Sequence, residues 1–195
     1  MPRKVDLEPG TAILHEGDPE RCVVLLPGIR YSTTAPLLWF AREAALARGW
    51  SVLEAVELVP ERADPVAFAR SQADLAIGAA MTVETVVVGK SLASFAAGMV
   101  AERTLAAIWL TPLLHQSSVV DGIARNPRPA LLIGGTADES WRPENLPASS
   151  EIELLELEGL DHSLQVAGDP DASLDALRRV THAIGDFLGR FEPLG

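Results

Sequence analysis

The chain has 195 residues, 48% of them hydrophobic, which is enough to bury the core of one compact domain spanning residues 1–195. Its formal net charge of −11 argues against nucleic acid and anionic membrane surfaces as partners. No stretch approaches the roughly 18 apolar residues of a membrane span, and residues 1–7 lack the apolar segment of a signal peptide, so we expect a cytoplasmic protein.

Short apolar runs alternate with longer amphipathic stretches, a pattern typical of an α/β fold with a mostly parallel sheet flanked by helices. The runs predict strands at residues 11–15, 22–26, 51–55, 83–88, 105–110, 130–134 and 151–156. The amphipathic stretches predict helices at residues 35–48, 64–80, 91–102, 119–125 and 171–191.

Two further expectations concern the core. Cys22 heads an apolar run, so we expect it to be buried; as the single cysteine it cannot form an internal disulfide. The last helix carries apolar residues at helical spacing on one face: Leu174, Leu177, Val180, Ile184, Phe187 and Leu188.

Ligands of open parallel sheets bind at the carboxyl ends of the strands, so the residues directly after the apolar runs are candidate site residues. Four such places carry polar or glycine residues. They are residues 27–30, Ser91, residues 135–138 and residues 159–163.

Ser91 stands where a buried strand passes directly into a helix, in the sequence Gly-Lys-Ser-Leu-Ala. That order is typical of a nucleophile elbow. One alternative is a phosphate-binding loop ending in Gly-Lys-Ser, but Glu84 occupies the position where that motif requires glycine. Another alternative is a serine that only caps the helix.

A serine nucleophile needs a base, and the base needs an acceptor on its second ring nitrogen. His162 is the candidate base because it follows a strand in a loop that contains glycine. Asp138 is the candidate acceptor at the end of the preceding strand, although an aspartate there is also typical of a turn or helix cap. Asp161 is a weaker candidate because sequence neighbours rarely point at each other.

Charge that develops on the substrate oxygen requires backbone amides as donors. The amide of Leu92 follows the serine and is one candidate. The second is the amide of Ile29, in a loop where Gly28 lets the backbone bend inward; Arg30 replaces Ile29 if the register differs by one residue.

These motifs, in the order Pro27-Gly28, Ser91, Asp138 and His162, resemble the α/β-hydrolase family. About twenty residues separate the fifth and sixth predicted strands, where larger relatives insert a cap, so the chain resembles the short, lidless branch that includes dienelactone-hydrolase-like proteins. The elbow departs from the family pattern in ending with Ala93, and the oxyanion loop reads Pro-Gly where many esterases have His-Gly.

The resemblance implies a serine hydrolase with Ser91 as nucleophile, His162 as base and Asp138 as acid. It would cleave a small or soluble carboxylic ester or thioester without metal or cofactor, as a monomer or homodimer. An open cleft would bind the acyl substrate through Gly28, Arg30, Tyr31 and Trp141, with Leu113 or Leu114 nearby. The alternative is a non-catalytic binding or scaffold protein with the same fold.

Overall fold

Eight strands form one sheet in the computed structural model, which describes residues 2–7, 10–56, 64–80 and 82–191. In chain order they are β1 Arg3–Asp6, β2 Thr11–His15, β3 Asp18–Leu26, β4 Trp50–Ala55, β5 Glu84–Lys90, β6 Ala106–Leu110, β7 Ala130–Gly135 and β8 Ile152–Leu157. Their spatial order is β1-β2-β4-β3-β5-β6-β7-β8. The β1/β2 and β2/β4 pairs are antiparallel and the other five pairs are parallel, which confirms the predicted mostly parallel sheet.

The central strands are apolar throughout because helices cover both of their faces. Alternate residues of β3 illustrate this: Val23 and Leu25 belong to one core cluster, whereas Cys22, Val24 and Leu26 belong to the other. Cys22 is 2% exposed, so its predicted burial is confirmed.

In the described part of the chain, five α-helices flank the sheet. They are α1 Pro36–Leu46, α2 Pro65–Ala80, α3 Ala97–Glu102, α4 Ser117–Ala124 and α5 Pro170–Gly189. Helices α1 and α5 pack together on one face, and α2, α3 and α4 supply buried residues to the cluster on the other face.

Three features of the fold differ from the sequence prediction. The sequence pattern does not predict β1, because its sequence Arg-Lys-Val-Asp is short and polar and it pairs as an exposed edge through its backbone. The predicted helix at 91–102 is instead a 3₁₀ helix, Ser91–Ala96, that continues into α3. Leu174 was expected on the buried face of α5, yet it is 62% exposed because a cavity lies beside the first turns of that helix.

No helix among the described residues is both long enough and apolar enough to span a membrane.

Candidate active site

Ser91 lies at a sharp turn between the last residue of β5 and the 3₁₀ helix, with a φ of 51°. A non-glycine residue rarely adopts this left-handed conformation, and it persists only where the surroundings enforce it. Gly89 allows the turn to close, because a Cβ there would lie 2.6 Å from the Trp109 ring and 3.1 Å from Ala93 Cβ. The Ser94 hydroxyl donates to the Ser91 carbonyl at 2.7 Å. These contacts hold the Ser91 side chain in a partly exposed position at the carboxyl end of β5.

Two hydrogen bonds connect Ser91 to His162 and His162 to Asp138. His162 Nε2 lies 2.7 Å from Ser91 Oγ, and His162 Nδ1 lies 2.7 Å from Asp138 Oδ2. An ionised Asp138 accepts from Nδ1–H, which leaves Nε2 to accept from the serine hydroxyl. The Asp138 side chain is 2% exposed and the His162 side chain is 40% exposed, so the chain of hydrogen bonds runs from a buried carboxylate to the protein surface.

Two hydrogen bonds, one between backbone groups and one from a backbone amide to a side chain, join the loops that carry Asp138 and His162. The Ala137 amide donates to the Leu160 carbonyl at 3.0 Å, and the Gly159 amide donates to Thr136 Oγ1 at 2.8 Å. Gly135 permits this approach, since a Cβ there would overlap the Leu160 carbonyl oxygen. The distance between the carboxylate and the imidazole is therefore fixed by contacts between the two loops.

Asp138 combines the two roles that its sequence position suggested. Its Oδ1 accepts from the Ser140 amide at 2.8 Å, as in a turn, while Oδ2 faces His162. Burial opposes its ionisation, but the hydrogen bonds from His162 and Ser140, together with the charge of Lys90, outweigh burial and lower the pKa of Asp138. Asp161, the weaker candidate, instead accepts from the backbone amides of Ser163 and Gln165.

The loop after β3 lies directly against the serine. Gly28 and Tyr31 pair across a tight turn, with Ile29 and Arg30 at its tip, and Arg30 has a φ of 53°. A Cβ on Gly28 would lie 3.1 Å from the Lys90 carbonyl oxygen and 3.5 Å from Ser91 Cβ.

Both predicted oxyanion donors belong to segments next to Ser91. Leu92 is the second residue of the 3₁₀ helix, so its amide has no carbonyl partner within that helix. Ile29 lies at the tip of the adjoining turn, outside any strand or helix.

Lys90 also belongs to this site, although its sequence context indicated a role for it only as part of a phosphate-binding motif. It is 2% exposed, and its ammonium donates to Thr111 Oγ1 and, at 2.8 Å, to the backbone carbonyl of His162. Its Nζ also lies 5.1 Å from the centre of the Tyr31 ring. Burial lowers the pKa of Lys90 to about 8, against the opposing charges of Asp138 and Asp161.

These contacts disfavour the phosphate-binding interpretation. Residues Glu84–Lys90 form a strand rather than a loop, and the lysine points into the protein. The sequence could have marked Lys90 as a residue with a special role. Arginine supplies fourteen of the sixteen basic residues, so a lysine at the end of an apolar strand is unusual for this chain.

Trp141 does not line a cleft, which corrects the prediction that it binds substrate there. The residue is 4% exposed and packs in the core on the side of α2 to α4, across Gly134. Its indole N–H donates to Glu156 Oε2 at 2.7 Å.

The two leucines predicted near the cleft differ in exposure. Leu114 is fully buried, whereas Leu113 is partly exposed. The Leu113 amide donates to Ser94 Oγ at 3.2 Å.

Among the described residues, no group of three or more histidine, cysteine, aspartate or glutamate side chains is arranged to hold a metal ion.

Comparison with known proteins identifies the fold. No protein-family model and no curated protein sequence matches the chain. Among solved structures, it resembles an esterase of Pyrococcus furiosus (TM-score 0.74, 14% identity, covering 97% of this chain and 91% of that one). It also resembles Est1E of Butyrivibrio proteoclasticus (TM-score 0.72, 15% identity, 97% and 98% covered) and a serine hydrolase without a lid from Xanthomonas campestris (TM-score 0.69, 15% identity, 100% and 96% covered). The chain therefore has the α/β-hydrolase fold without a lid.

Proposed function

We propose that this protein is a serine hydrolase that cleaves a small or soluble carboxylic ester or thioester through an acyl-enzyme. The observation that carries the proposal is the pair of 2.7 Å hydrogen bonds that runs from Ser91 through His162 to Asp138. The serine also lies on a strained turn at the carboxyl end of a central strand. In this arrangement Ser91 is the nucleophile, His162 the general base and Asp138 the residue that orients the imidazole.

Acylation begins when Ser91 Oγ attacks the carbonyl carbon and His162 Nε2 takes the hydroxyl proton. The carbonyl oxygen becomes an oxyanion, which the amides of Leu92 and Ile29 stabilise. When the intermediate collapses, the bond to the leaving group breaks and the leaving alcohol or thiol takes the proton from His162. Water then attacks the acyl-enzyme, with His162 again as base, and releases the carboxylic acid.

The environment of the site agrees with this chemistry. The contacts between the Asp138 and His162 loops pre-organise the proton-transfer chain, and pre-organisation is the main source of electrostatic catalysis. We assign substrate binding to Gly28, Arg30 and Tyr31, which belong to the turn next to Ser91. Several proteins with the same fold are named esterases or serine hydrolases, which adds weight to hydrolysis among the chemistries that a nucleophilic serine can perform.

A fluorophosphonate probe tests the proposal. Such probes react covalently with an activated serine, so the intact protein should gain the mass of one adduct and peptide mapping should place it on Ser91. The Ser91→Ala and His162→Ala variants should lose labelling. Ser117→Ala is the matched control, because Ser117 is an exposed serine at the start of α4 and its variant should leave labelling unchanged. A folded wild-type protein that does not react would support a non-catalytic binding protein instead.

A further inference from the structure

An apolar trough runs along α5 and begins beside the candidate active site. Its upper part is a cavity of about 530 Å³ between Tyr31, the start of α1, the loop of residues 163–169 and the first turns of α5. A second cavity of about 220 Å³ shares Leu174 and Leu177 with the first and extends to Phe40 and His182. We call the two together the α5 trough.

The polar groups that line the upper cavity are largely bonded to their own loop. Ser173 Oγ accepts from the Val166 amide at 3.0 Å and donates to the Asp169 carbonyl at 2.8 Å, and the Asp169 carboxylate accepts from the Ala172 amide at 2.9 Å. The surface that remains for a ligand is therefore mainly the side chains of Leu174 and Leu177, with Val166 beside them.

Large apolar side chains are exposed on this side of the molecule. Leu174 is 62% exposed and Phe40 is 36% exposed, and both line the trough. Trp39, next to Phe40, is 37% exposed, and Ile29 in the turn beside Ser91 is 51% exposed. Single exposed apolar residues such as Trp39 and Ile29 are ordinary, but Leu174 and Phe40 line one cavity together, and neighbouring exposed apolar side chains along a cavity are typical of a binding surface.

The trough adjoins the two segments that flank the reacting groups. Ser163, which lines its upper end, directly follows His162. Tyr31 lines the same end and pairs with Gly28, which lies against Ser91. From Pro170 to His182 the trough follows about 18 Å of helix, at 1.5 Å per residue. A linear acyl chain that extends from Ser91 past Tyr31 and Ser163 would therefore enter this trough.

Tyr31 supplies a polar group at the entrance. Its hydroxyl oxygen accepts from the Leu37 amide at 3.0 Å, and its O–H is left to donate. Burial raises the pKa of Tyr31, so this hydroxyl keeps its proton at neutral pH. Asp169 and Arg178 also line the trough, but the Tyr31 hydroxyl at the entrance is uncharged and the leucine side chains between them are apolar, which suits an elongated apolar group.

We propose that the α5 trough binds the acyl chain of the substrate, and that the substrates are esters or thioesters of linear, apolar carboxylic acids. This inference rests on the proposed function and assigns its substrate class. Each methylene group of a ligand that becomes buried on all sides raises the binding constant about fourfold. The trough is open on one side, so we expect kcat/KM to rise about twofold for each methylene.

The first experiment measures kcat/KM for p-nitrophenyl esters with acyl chains of two, four, six and eight carbons. Wild-type protein should prefer the longer chains. Leu174→Ser should lower the ratio of octanoate to acetate activity by about tenfold, because it removes the exposed apolar wall. Leu154→Ser is the matched control: Leu154 is a 47% exposed leucine of β8, away from the trough, and its variant should keep the wild-type ratio. A flat chain-length profile, or equal ratios in both variants, would overturn the proposal.

A second experiment separates the trough from the chemistry. Decanoate should raise the Tm of Ser91→Ala protein, and the rise should be smaller in the Ser91→Ala/Leu174→Ser double variant. Binding of decanoate by a protein that hydrolyses no ester would support the trough and overturn the proposed function. Hydrolysis of acetate esters without a decanoate-induced Tm shift would overturn the trough and leave the proposed function in place.

Discussion

The Lys90 ammonium donates a hydrogen bond to the backbone carbonyl of His162 at 2.8 Å. It thereby joins the strand that carries Ser91 to the loop that carries the candidate base. The same ammonium donates to Thr111, at the end of the neighbouring strand. Three segments of the site therefore meet at one buried lysine, which makes Lys90 a positioning residue for His162.

Replacing Lys90 with methionine should release the His162 loop from this contact. We expect kcat for ester hydrolysis to fall about 10- to 100-fold, because small displacements of a catalytic group have effects of this size, while KM changes little. Lys90→Arg should not restore kcat, since the planar guanidinium does not reproduce the compact ammonium. Steady-state kinetics on a short-chain ester and the rate of fluorophosphonate labelling measure the effect. Unchanged kcat in Lys90→Met would contradict a positioning role.

The burial of Lys90 also predicts a pH dependence of stability. Its pKa is about 8 in the folded protein, lowered by burial from 10.5, which corresponds to roughly 3 kcal/mol of unfavourable charge burial. Below pH 8 the lysine is charged in both states. Above pH 8 the folded state releases the proton while the unfolded state keeps it, so the free energy of unfolding should rise with pH.

Urea unfolding at pH 7.0, 8.0, 9.0 and 9.5 tests this dependence. The free energy of unfolding of wild-type protein should increase relative to that of Lys90→Met across this range. Lys4→Met is the control, because Lys4 lies on the exposed edge strand, and this variant should follow the wild-type dependence. Parallel curves for wild type and Lys90→Met would mean that the folded-state pKa is not lowered.

Much of the site could be predicted from the sequence, because buried parallel strands appear as continuous apolar runs and their carboxyl ends share one edge of the sheet. Ser91, Asp138 and His162 each follow such a run, and the structure brings them within hydrogen-bonding distance. The prediction needed only the ends of strands and the chemistry of the side chains that follow them.

The remaining features depend on contacts between segments that are distant in the sequence. Trp141 also follows a strand, but its loop turns back and places the ring across Gly134. The periodicity of α5 put Leu174 on the apolar face, but it gave no information about the cavity beside it. Lys90 bonds to residues 21 and 72 positions away, which no local pattern contains.

Asp138→Asn should abolish most activity without unfolding the protein. The asparagine amide would donate to His162 Nδ1, so the proton would move to Nε2 and the imidazole could no longer accept from Ser91. The expected loss in kcat is on the order of 10³- to 10⁴-fold, the size of the loss that the same change causes in a serine protease with a Ser-His-Asp triad. Asp161→Asn is the matched control, because the amide oxygen can still accept from the Ser163 and Gln165 amides. Comparable losses in both variants would show that Asp138 has no special relation to His162.

Two glycine substitutions should change stability in opposite directions. A Cβ on Gly134 would overlap the Trp141 ring, and the ring cannot move aside because it is buried and its N–H is bonded to Glu156. Gly134→Ala should therefore lower the free energy of unfolding by about 3 kcal/mol.

Gly78 lies in α2, and a Cβ there would have nothing within 4 Å. Gly78→Ala should therefore raise the free energy of unfolding by about 1 kcal/mol, because alanine has a higher helix propensity than glycine. Urea unfolding of both variants measures the difference, and a stable Gly134→Ala protein would mean that Trp141 is not fixed against the end of β7.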